Sequence, residues 1–404
     1  MAFNFLGLDD VDVSGKTVFL RVDINSPLDP VSKRILDATR IKATLDTLHD
    51  LRDARVVLGA HQSRPGKYDF TSLELHTRVL QSYLNSGVKF VDDVLGERAL
   101  AAIKGLGVGE VLVLDNLRFI DEENKQGPPA EVVETGLVEG LSPFFDLVVN
   151  DAFAAAHRSQ PSLVGFGELM PMVAGRLMEK ELNAIDRVLS DPARPCVFIL
   201  GGVKVEDRIP VIGRVLRDGI ADRVLIGGLV RDVFHLSERG SSSNLGSMSG
   251  VGMGLVEEAK RLMDEFGDLI EMPVDVALDV KGERVEIGVD SLMDERNVFD
   301  IGLNTLARFS EVIKGAGTVV AEGPLGMFER RHFNTGTKEV LRAMAGCGGF
   351  TLVGGGHLGG LASMMDLDWR MGHVSTGGGA MLALLAGEPM PVIEALERAK
   401  MRGV

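Results

Sequence analysis

Residues 197–208, VFILGGVKVEDR, contain in order an apolar run, a glycine pair and a charged segment. Val197–Leu200 is the kind of continuous apolar run found in strands that are buried on both faces of a parallel sheet. Glycines placed between a strand and a helix let backbone N–H groups approach a phosphate. The stretch therefore predicts a β-strand, a turn with a candidate anion site at Gly201-Gly202, and a helix start.

The charged end of this stretch places two cations four residues apart. On a helix, Lys204 and Arg208 would share a face. The phosphate-binding pattern G-x-x-x-x-G-K-[ST] and the dinucleotide pattern G-x-G-x-x-G are both absent here. A second pair, Gly227-Gly228, follows the next apolar run, and a simple turn is the favoured interpretation for it.

Short apolar runs of the same kind recur along the whole chain. They are Thr17–Val22, Val56–Leu58, Val111–Leu114, Leu147–Val149, Val197–Leu200, Val224–Ile226, Val274–Leu278, Thr318–Ala321 and Phe350–Val353. Helix-like stretches lie between them, with one apolar face formed by Ile41, Leu45, Leu48 and Leu51, and another by Leu255, Ala259, Leu262 and Phe266. Strands that alternate with helices predict βαβ units, and thus an α/β fold with mainly parallel sheets.

The chain length predicts two domains, because 404 residues exceed what one hydrophobic core usually supports. We expect one domain in residues 1–172, a connecting helix in 173–190 and a second domain in 191–390. Whether the helix predicted in 391–404 packs back on the first domain is left open.

Composition excludes several classes of function. A net charge of −15 argues against binding to nucleic acid or to an acidic membrane surface. The two cysteines form no disulfide framework, and the N-terminus lacks the basic and apolar regions of a secretory signal. No run of 18 apolar residues predicts a membrane span. A cytoplasmic location is therefore expected.

Cations recur at the strand ends of the first half or in the adjacent turns. In open α/β sheets, ligands bind beyond the carboxyl ends of the strands, where these residues would converge. They are Arg21, Arg40, Arg64, Arg118 and Arg158, with His61 and His157. Each alone is typical of a solvated surface, but five clustered arginines would repel one another unless a polyanion lay among them. Because arginine binds phosphate and carboxylate oxygens in pairs, a small phosphorylated acid is the expected ligand.

Two polar residues after the first strand are further candidates. Asp23 and Asn25 would project to one side of an extended chain and could bind a hydroxylated ligand. Turn chemistry before Pro27 is the alternative interpretation, and without other observations it is the favoured one.

The last strands lead into two triple-glycine segments. Gly354–Gly356 is followed by His357 and Leu358, and Gly377–Gly379 leads into an apolar helix at Met381–Ala386. Two such segments before helices predict a backbone cradle for phosphates. Glu329 follows the Gly323-Pro324 turn; it could bind ribose hydroxyls, but a surface acid is the simpler interpretation.

Taken together and in order, these motifs resemble the phosphoglycerate kinase family along nearly the whole chain. The matching segments are RVDINSP, DATRIKA, HQSRPG, LDNLRF, NDAFAAAHR, AGRLMEKEL, ILGGVKVEDR, LIGGLV, MPVDV, DIGLNT, EGPLGMFE, VGGGHLG and HVSTGGGA. The histidine after the first triple glycine is similar to the archaeal branch.

The resemblance implies two Rossmann-like domains with mainly parallel sheets, joined by a connecting helix across a central cleft. The first would bind 3-phosphoglycerate or 1,3-bisphosphoglycerate, and the second ADP or ATP with Mg²⁺. The substrate-binding residues implied are Asp23, Asn25, Arg40, His61, Arg64, Arg118 and Arg158. The nucleotide-binding residues implied are Gly202, Lys204, Gly227, Gly228, Glu329, Gly354, Gly355, Gly356, His357 and Leu358. The catalytic residues implied are Arg40, Lys204, Arg208 and Gly378.

Three positions depart from the family pattern. Arg208 stands where the family has a lysine, and Glu322 stands where it has an asparagine before Gly-Pro. His357-Leu358 replaces Asp-Thr, whose aspartate helps to hold magnesium. Imidazole is a poor ligand for Mg²⁺, so we expect mainly nucleotide phosphates and water to hold the ion. Another carboxylate stays open as a further ligand, and no protein ligand is assigned.

The resemblance predicts in-line phosphoryl transfer without a general base. Two other functions stay open: a dinucleotide-dependent dehydrogenase, disfavoured by the missing glycine fingerprint, and a catalytically silent family member, suggested by Arg208, Glu322 and His357. A monomer is expected, with a dimer as the alternative. Nucleotide preference, favoured direction and the size of domain closure are not predicted.

Overall fold

The computed structural model describes residues 3–84, 87–239, 252–292 and 298–403. The strands are β1 Thr17–Val22, β2 Arg55–Gly59, β3 Val88–Val91, β4 Val111–Leu114, β5 Leu147–Asp151, β6 Met172–Ala174, β7 Cys196–Leu200, β8 Arg223–Ile226, β9 Ile270–Glu271, β10 Asp275–Val280, β11 Glu283–Gly288, β12 Val298–Ile301, β13 Thr318–Glu322, β14 Phe350–Val353 and β15 His373–Val374. The helices are α1 Thr39–Ala43, α2 Leu45–Asp50, α3 Glu74–Tyr83, α4 Glu97–Lys104, α5 Pro129–Val132, α6 Gly136–Leu141, α7 Pro161–Val164, α8 Arg176–Ser190, α9 Val205–Arg217, α10 Gly228–Arg239, α11 Met253–Phe266, α12 Leu303–Lys314, α13 Thr335–Ala345, α14 His357–Met364, α15 Gly378–Ala386 and α16 Pro391–Arg402.

The chain forms two compact units, and the first combines Ala2–Asn183 with Pro389–Val404. Its sheet has the strand order β3-β4-β2-β1-β5-β6, and every pair is parallel. All residues of β4 and β5 are buried, as expected for strands covered on both faces. The carboxyl ends of these strands consequently lie along one edge of the sheet.

The second unit, Ala184–Glu388, contains a parallel sheet of order β15-β14-β13-β7-β8-β9 and an antiparallel sheet of order β11-β10-β12. The predicted α/β class with two mainly parallel sheets is confirmed. The strand predicted at Val274–Leu278 is present, and it belongs to the smaller antiparallel sheet. It forms most of β10, which pairs antiparallel with β11, and burial decreases towards the outer end of the strand.

Two helix predictions need correction at their boundaries. The apolar face that starts at Ile41 is present, but the helix is broken at Thr44, because the Thr44 hydroxyl donates to the Ile41 carbonyl at 2.8 Å. The connecting helix was expected from residue 173, whereas Met172–Ala174 forms a strand and α8 starts at Arg176. The chain passes from the first unit to the second within α8.

The C-terminal helix packs on the first unit. The Val392 N–H donates to the Ala156 carbonyl at 3.2 Å, and Arg402 pairs with Glu168 at 2.5 Å. The exact domain limits remain a prediction. In the part of the chain that is described, no single helix is long and apolar enough to cross a membrane, although α15 and α16 taken together meet the length and composition of a bent span.

A buried carboxylate fixes the start of α8. Asp151 ends β5, and its Oδ1 accepts the Met178 N–H at 3.0 Å while its Oδ2 accepts the Thr47 hydroxyl at 2.6 Å. Burial raises the pKa of Asp151 to about 6, and the hydrogen bonds from Thr47 and Met178 oppose this rise. The side chain thus joins β5, α2 and the first turn of α8.

Replacing this carboxylate should destabilise the first unit. We expect Asp151→Ala to lower its free energy of unfolding by about 2–3 kcal/mol, because two buried donors lose their acceptor. Urea unfolding would measure the loss. Asp92→Ala is the control, since Asp92 forms an exposed ion pair with Arg98 and should cost less than about 1 kcal/mol. Equal stability of the two variants would contradict this role.

Candidate functional site

The carboxyl edge of the first sheet carries a pocket of about 320 Å³. Its lining is dominated by polar and cationic side chains: Asn25, His61, Ser63, Arg64, Lys67, Tyr68, Asp69, Arg118 and Arg158. The loops after β2, β4 and β5 deliver most of the cations. The structure therefore brings together, within one unit, residues that lie as far apart in the sequence as Asn25 and Arg158.

The arginines in this pocket repel one another. Burial, followed by Arg158 and Arg21, lowers the pKa of Arg118 to about 10. Burial also lowers the pKa of Arg158; Asp23 opposes the shift, and Arg64 and Arg40 add to it. Because like charges in a partly desolvated pocket destabilise one another, a bound phosphate or carboxylate would relieve the repulsion.

His61 enters the pocket as a neutral ring. Burial lowers its pKa well below the usual 6.5, although Asp23 opposes the shift. The Arg21 guanidinium lies 3.2 Å from His61 Nδ1, and arginine can only donate. Nδ1 therefore accepts, and the proton resides on Nε2. His61 can offer a neutral hydrogen-bond donor to a ligand.

Arg21 differs from what the sequence predicted. It was expected at the ligand edge with the other arginines, but its side chain is 1% exposed. Its Nε donates to the Ser162 hydroxyl at 2.7 Å, and its Nη2 lies 3.7 Å from Glu123. Arg21 supports His61 from behind. Sequence reasoning missed Glu123, because nothing in the segment DEEN marks one acid as buried.

Asp23 and Arg40 form a second polar group beside the pocket. Arg40 Nη1 lies 3.0 Å from Asp23 Oδ2, with exposed fractions of 32% for Arg40 and 6% for Asp23. Burial alone would raise the pKa of the Asp23 carboxyl, but the Arg40 guanidinium and the hydrogen bond from the Asn25 N–H outweigh it and hold the pKa below its usual value. Asp23 stays ionised and orients the Arg40 guanidinium.

The turn interpretation of this segment also holds. Asp23 Oδ1 accepts the Asn25 N–H at 2.9 Å, and Asn25 Oδ1 accepts the Ser63 N–H at 3.0 Å. The two side chains therefore shape the loop and at the same time face the neighbourhood of Arg40 and the pocket. Turn formation and ligand binding are compatible here rather than exclusive.

In the second unit, the turns after β7, β8 and β13 are packed backbone to backbone. The Gly201 N–H donates to the Glu322 carbonyl at 3.0 Å, the Gly202 N–H to the Pro324 carbonyl at 2.7 Å, and the Gly228 N–H to the Leu325 carbonyl at 3.0 Å. A Cβ on Gly201 would lie 2.4 Å from the Pro324 oxygen. These amides were expected to face phosphates; instead the Gly201 and Gly202 amides are already used, and the two glycines permit close packing.

The two triple-glycine segments lie side by side, because β14 and β15 are neighbours. A Cβ on Gly355 would lie 2.5 Å from the Ser375 oxygen and 3.2 Å from the Gly378 nitrogen. In α15 the Met381 N–H makes the first intrahelical bond, to Gly377 at 2.8 Å, so the N–H groups of the first turn have no partner within the helix. This pair of segments is hereafter called the glycine cradle.

Lys204 and Arg208 differ in burial. Lys204 immediately precedes α9 and is exposed, whereas Arg208 lies in the first turn and is buried. Arg208 Nη2 lies 3.1 Å from Glu322 Oε1. Lys204 stands just before the helix rather than on it, but both cations act on the Glu322 carboxyl and lower its pKa. Two separate departures from the family pattern prove to be one ion pair, which the sequence alone could not reveal.

The remaining candidates of the second unit differ in accessibility. Glu329 and His357 are exposed, and the His357 ring lies 5.0 Å from the Phe328 ring. Gly227 directly follows β8 and packs against Leu325, which leaves no room there for a side chain. Leu358 is 3% exposed and belongs to the hydrophobic core, so its side chain packs internally. Among the residues that the structure describes, no group of three or more His, Cys, Asp or Glu side chains is arranged to hold a metal ion.

Comparison with known proteins gives one consistent family. A family model described as phosphoglycerate kinase matches residues 8–388. The phosphoglycerate kinase of Methanobacterium bryantii is 44% identical over 411 residues and covers 100% of both chains. That of Methanococcus maripaludis is 46% identical over 98% of each chain. The crystal structure of phosphoglycerate kinase from Pyrococcus horikoshii OT3 has a TM-score of 0.90, 44% identity and coverage of 98% of this chain and 100% of that chain.

The interaction between Arg40 and Asp23 can be measured directly. In the unmodified protein, the Asp23 carboxyl should titrate below the usual pKa of 3.8, as its surroundings indicate. In Arg40→Ala the largest favourable charge is lost while the burial remains, so the pKa should rise. Carboxyl ¹³C NMR over a pH series would follow it. Arg78→Ala, which removes an exposed partner of Glu74, should leave it unchanged; equal values in all three proteins would contradict the interaction.

Proposed function

The chain belongs to the phosphoglycerate kinase family, and on that premise we propose which of its residues carry the reaction. The reaction is reversible phosphoryl transfer between 1,3-bisphosphoglycerate and ADP, giving 3-phosphoglycerate and ATP, in glycolysis and gluconeogenesis. The enzyme is a phosphotransferase with a carboxyl group as acceptor. The observation that carries the residue assignment is the cationic pocket at the carboxyl edge of the first sheet.

The pocket of the first unit holds the phosphate that is not transferred. Arg64, Arg118 and Arg158 provide three guanidinium groups, and His61 provides a neutral donor. A bound phosphate would offset the mutual repulsion of these arginines. A phosphate can accept paired hydrogen bonds from each guanidinium, which gives the site its chemical preference.

The glycerate end of the substrate lies at the adjacent polar group. Asp23 and Asn25 accept or donate hydrogen bonds to its hydroxyl and carboxyl groups. Arg40 reaches the phosphoryl group in transfer, and Asp23 holds the guanidinium in place at 3.0 Å. An ionised Asp23 supports this arrangement, because only the carboxylate form balances Arg40.

The second unit binds the nucleotide. Lys204 and the first-turn N–H groups of α15, including that of Gly378, face its phosphates, and Gly354, Gly355 and Gly356 complete the cradle. Gly202, Gly227 and Gly228 contribute by packing the turns that carry Lys204. Exposed Glu329 is placed at the ribose and exposed His357 along the nucleotide, while Leu358 acts only through its backbone.

The nucleotide phosphates and water would hold Mg²⁺, and the ion would neutralise part of the phosphate charge. Hard Mg²⁺ prefers carboxylate, phosphate and water oxygens. Here the buried Glu322 is engaged by Arg208, and the His357 imidazole lies against Phe328. These side chains do not form an oxygen cage for the ion, so phosphates and water supply its ligands and no protein ligand is assigned.

The residues accelerate transfer by alignment and charge neutralisation. The substrate carboxylate is already ionised at neutral pH, so it attacks without a general base. Arg40, Lys204, Arg208 and the Gly378 amide place positive potential where the transferring phosphoryl group develops charge. Holding both reactants in line removes most of the entropic cost of a two-substrate reaction.

The surroundings in which the enzyme works are also part of the proposal. We place it in the cytoplasm as a monomer. Cys196 and Cys347 are both free thiols, which fits a reducing compartment. The net charge of −15 disfavours nucleic acid and acidic membranes as partners.

A coupled assay with ATP, Mg²⁺ and 3-phosphoglycerate tests the activity, and ADP formation well above background is expected. Parallel titrations with ADP and NAD separate the kinase from a dehydrogenase, since only ADP should bind. Folded protein that binds ADP and 3-phosphoglycerate without turnover would instead indicate a catalytically silent family member.

The role of Arg40 predicts a specific kinetic signature. Arg40→Ala should reduce kcat by roughly 10²–10³-fold, because a charge that stabilises the transition state is lost. The Kd for ADP should change little, since Lys204 and the glycine cradle remain. Steady-state kinetics and ADP titration measure the two quantities, with the exposed Arg34→Ala as control. A near-normal kcat would refute this role.

A further inference from the structure

Glu322 lies directly beneath the glycine cradle. It ends β13, and a Cβ on Gly354 would lie only 1.4 Å from its Oε2. A Cβ on Gly378 would lie 3.3 Å from its Oε1. Gly354 therefore leaves room for the carboxylate, and the carboxylate sits below the two segments assigned to the nucleotide phosphates.

This carboxylate is only half satisfied. Its Oε1 accepts from Arg208 Nη2 at 3.1 Å, while its Oε2 is buried without a hydrogen-bond partner among the described residues. The Arg208 Nε is likewise buried without an acceptor in that part of the chain. Both side chains are 8% exposed. A buried acceptor and a buried donor thus remain free to respond to a ligand or a proton.

The charged groups that face Glu322 come from one element. Arg208 and Lys204 attract its charge and Asp207 repels it, and all three lie at the start of α9. The glycine segments packed against the carboxylate carry no charged side chain within Gly354–Gly356 or Gly377–Gly379. Arg208 is therefore the only hydrogen-bonded counter-charge of Glu322 among the described residues.

We propose that Glu322 is a positioning residue that holds Arg208 beside the glycine cradle, and that its carboxylate takes up a proton when the nucleotide phosphates bind there. The proton comes from the solvent and is added at the free oxygen, Oε2. Arg208 then turns its charge from the neutralised carboxyl group to the phosphates. The inference rests on the placement of the nucleotide in the proposed function.

Electrostatics give the direction of this coupling. Burial raises the pKa of Glu322 to about 7, although Arg208 opposes the rise. ADP with one bound Mg²⁺ still carries a net negative charge, so its phosphates next to an already buried carboxylate raise the pKa of Glu322 further. At a pH below the pKa that Glu322 has without nucleotide, its carboxyl group is already neutral and the affinity for the nucleotide is at its maximum. Above it, affinity falls by up to about tenfold per pH unit, until the pKa of the occupied site is reached.

The ion pair sets the charge at this place. Arg208 and Glu322 are neutral as a pair while Glu322 is ionised. Protonation of Glu322 leaves a single positive charge beside the glycine cradle.

Calorimetric titration with ADP and saturating Mg²⁺ tests the proposal. The titration is done at pH 7.5 in buffers that differ in ionisation enthalpy. For each ADP bound, the unmodified enzyme should take up at least roughly half a proton more than Glu322→Gln takes up. Between pH 7 and 8.5 its Kd should weaken by about five- to tenfold relative to that of the variant. Glu339→Gln, which breaks an exposed glutamate–arginine pair, should behave like the unmodified enzyme.

Two outcomes would overturn the proposal, and a third would also refute the proposed nucleotide site. Equal proton uptake and parallel pH profiles in the unmodified enzyme and Glu322→Gln would refute it. If that variant does not fold, the double variant Arg208→Lys with Glu322→Asn replaces it in the comparison. The absence of any proton uptake by the unmodified enzyme would by itself refute the proposal. Failure of ADP to bind at all would refute the proposed nucleotide site as well; binding without uptake refutes this inference alone.

Discussion

Parallel strand pairing is the constraint on which the rest of this protein depends. In both large sheets every neighbouring strand pair is parallel, so the carboxyl ends of the strands lie along one edge. Strands buried on both faces leave little room for polar side chains except at this edge. Polar and charged residues that are far apart in sequence are therefore forced into proximity there, and the candidate sites are a consequence of the sheet.

The two units use that edge in chemically different ways. The first unit concentrates guanidinium groups, whose repulsion is only partly offset by buried acids such as Asp23 and Glu123. In the second unit, backbone segments pack closely against one another at this edge. A side chain on Gly201 or Gly355 would displace a neighbouring segment. A charged pocket suits a small, highly charged acid, and a backbone cradle suits the extended phosphate chain of a nucleotide.

Features of the fold and of the candidate sites were predictable where they depend on local sequence patterns, and not where they depend on residues distant in sequence. Strands such as β1, β4 and β14 have the predicted bounds, because a continuous apolar run between turns is a local signal. The convergence of the cations was predictable from the strand-end rule alone. The short β6 and the break at Thr44 were not, since their patterns are too brief or depend on one hydroxyl. The burial of Arg21 and the pairing of Arg208 with Glu322 depend on three-dimensional neighbours that periodicity does not report.

The central claim is that the acid substrate and the nucleotide bind to different units through these two kinds of site. Amide hydrogen exchange with each ligand added separately tests it most directly. We predict that 3-phosphoglycerate protects the segments around His61, Arg118 and Arg158, while Mg-ADP protects those around Lys204, Gly355 and Gly378. Protection of the same segments by both ligands, or protection of the glycine cradle by 3-phosphoglycerate alone, would contradict the account.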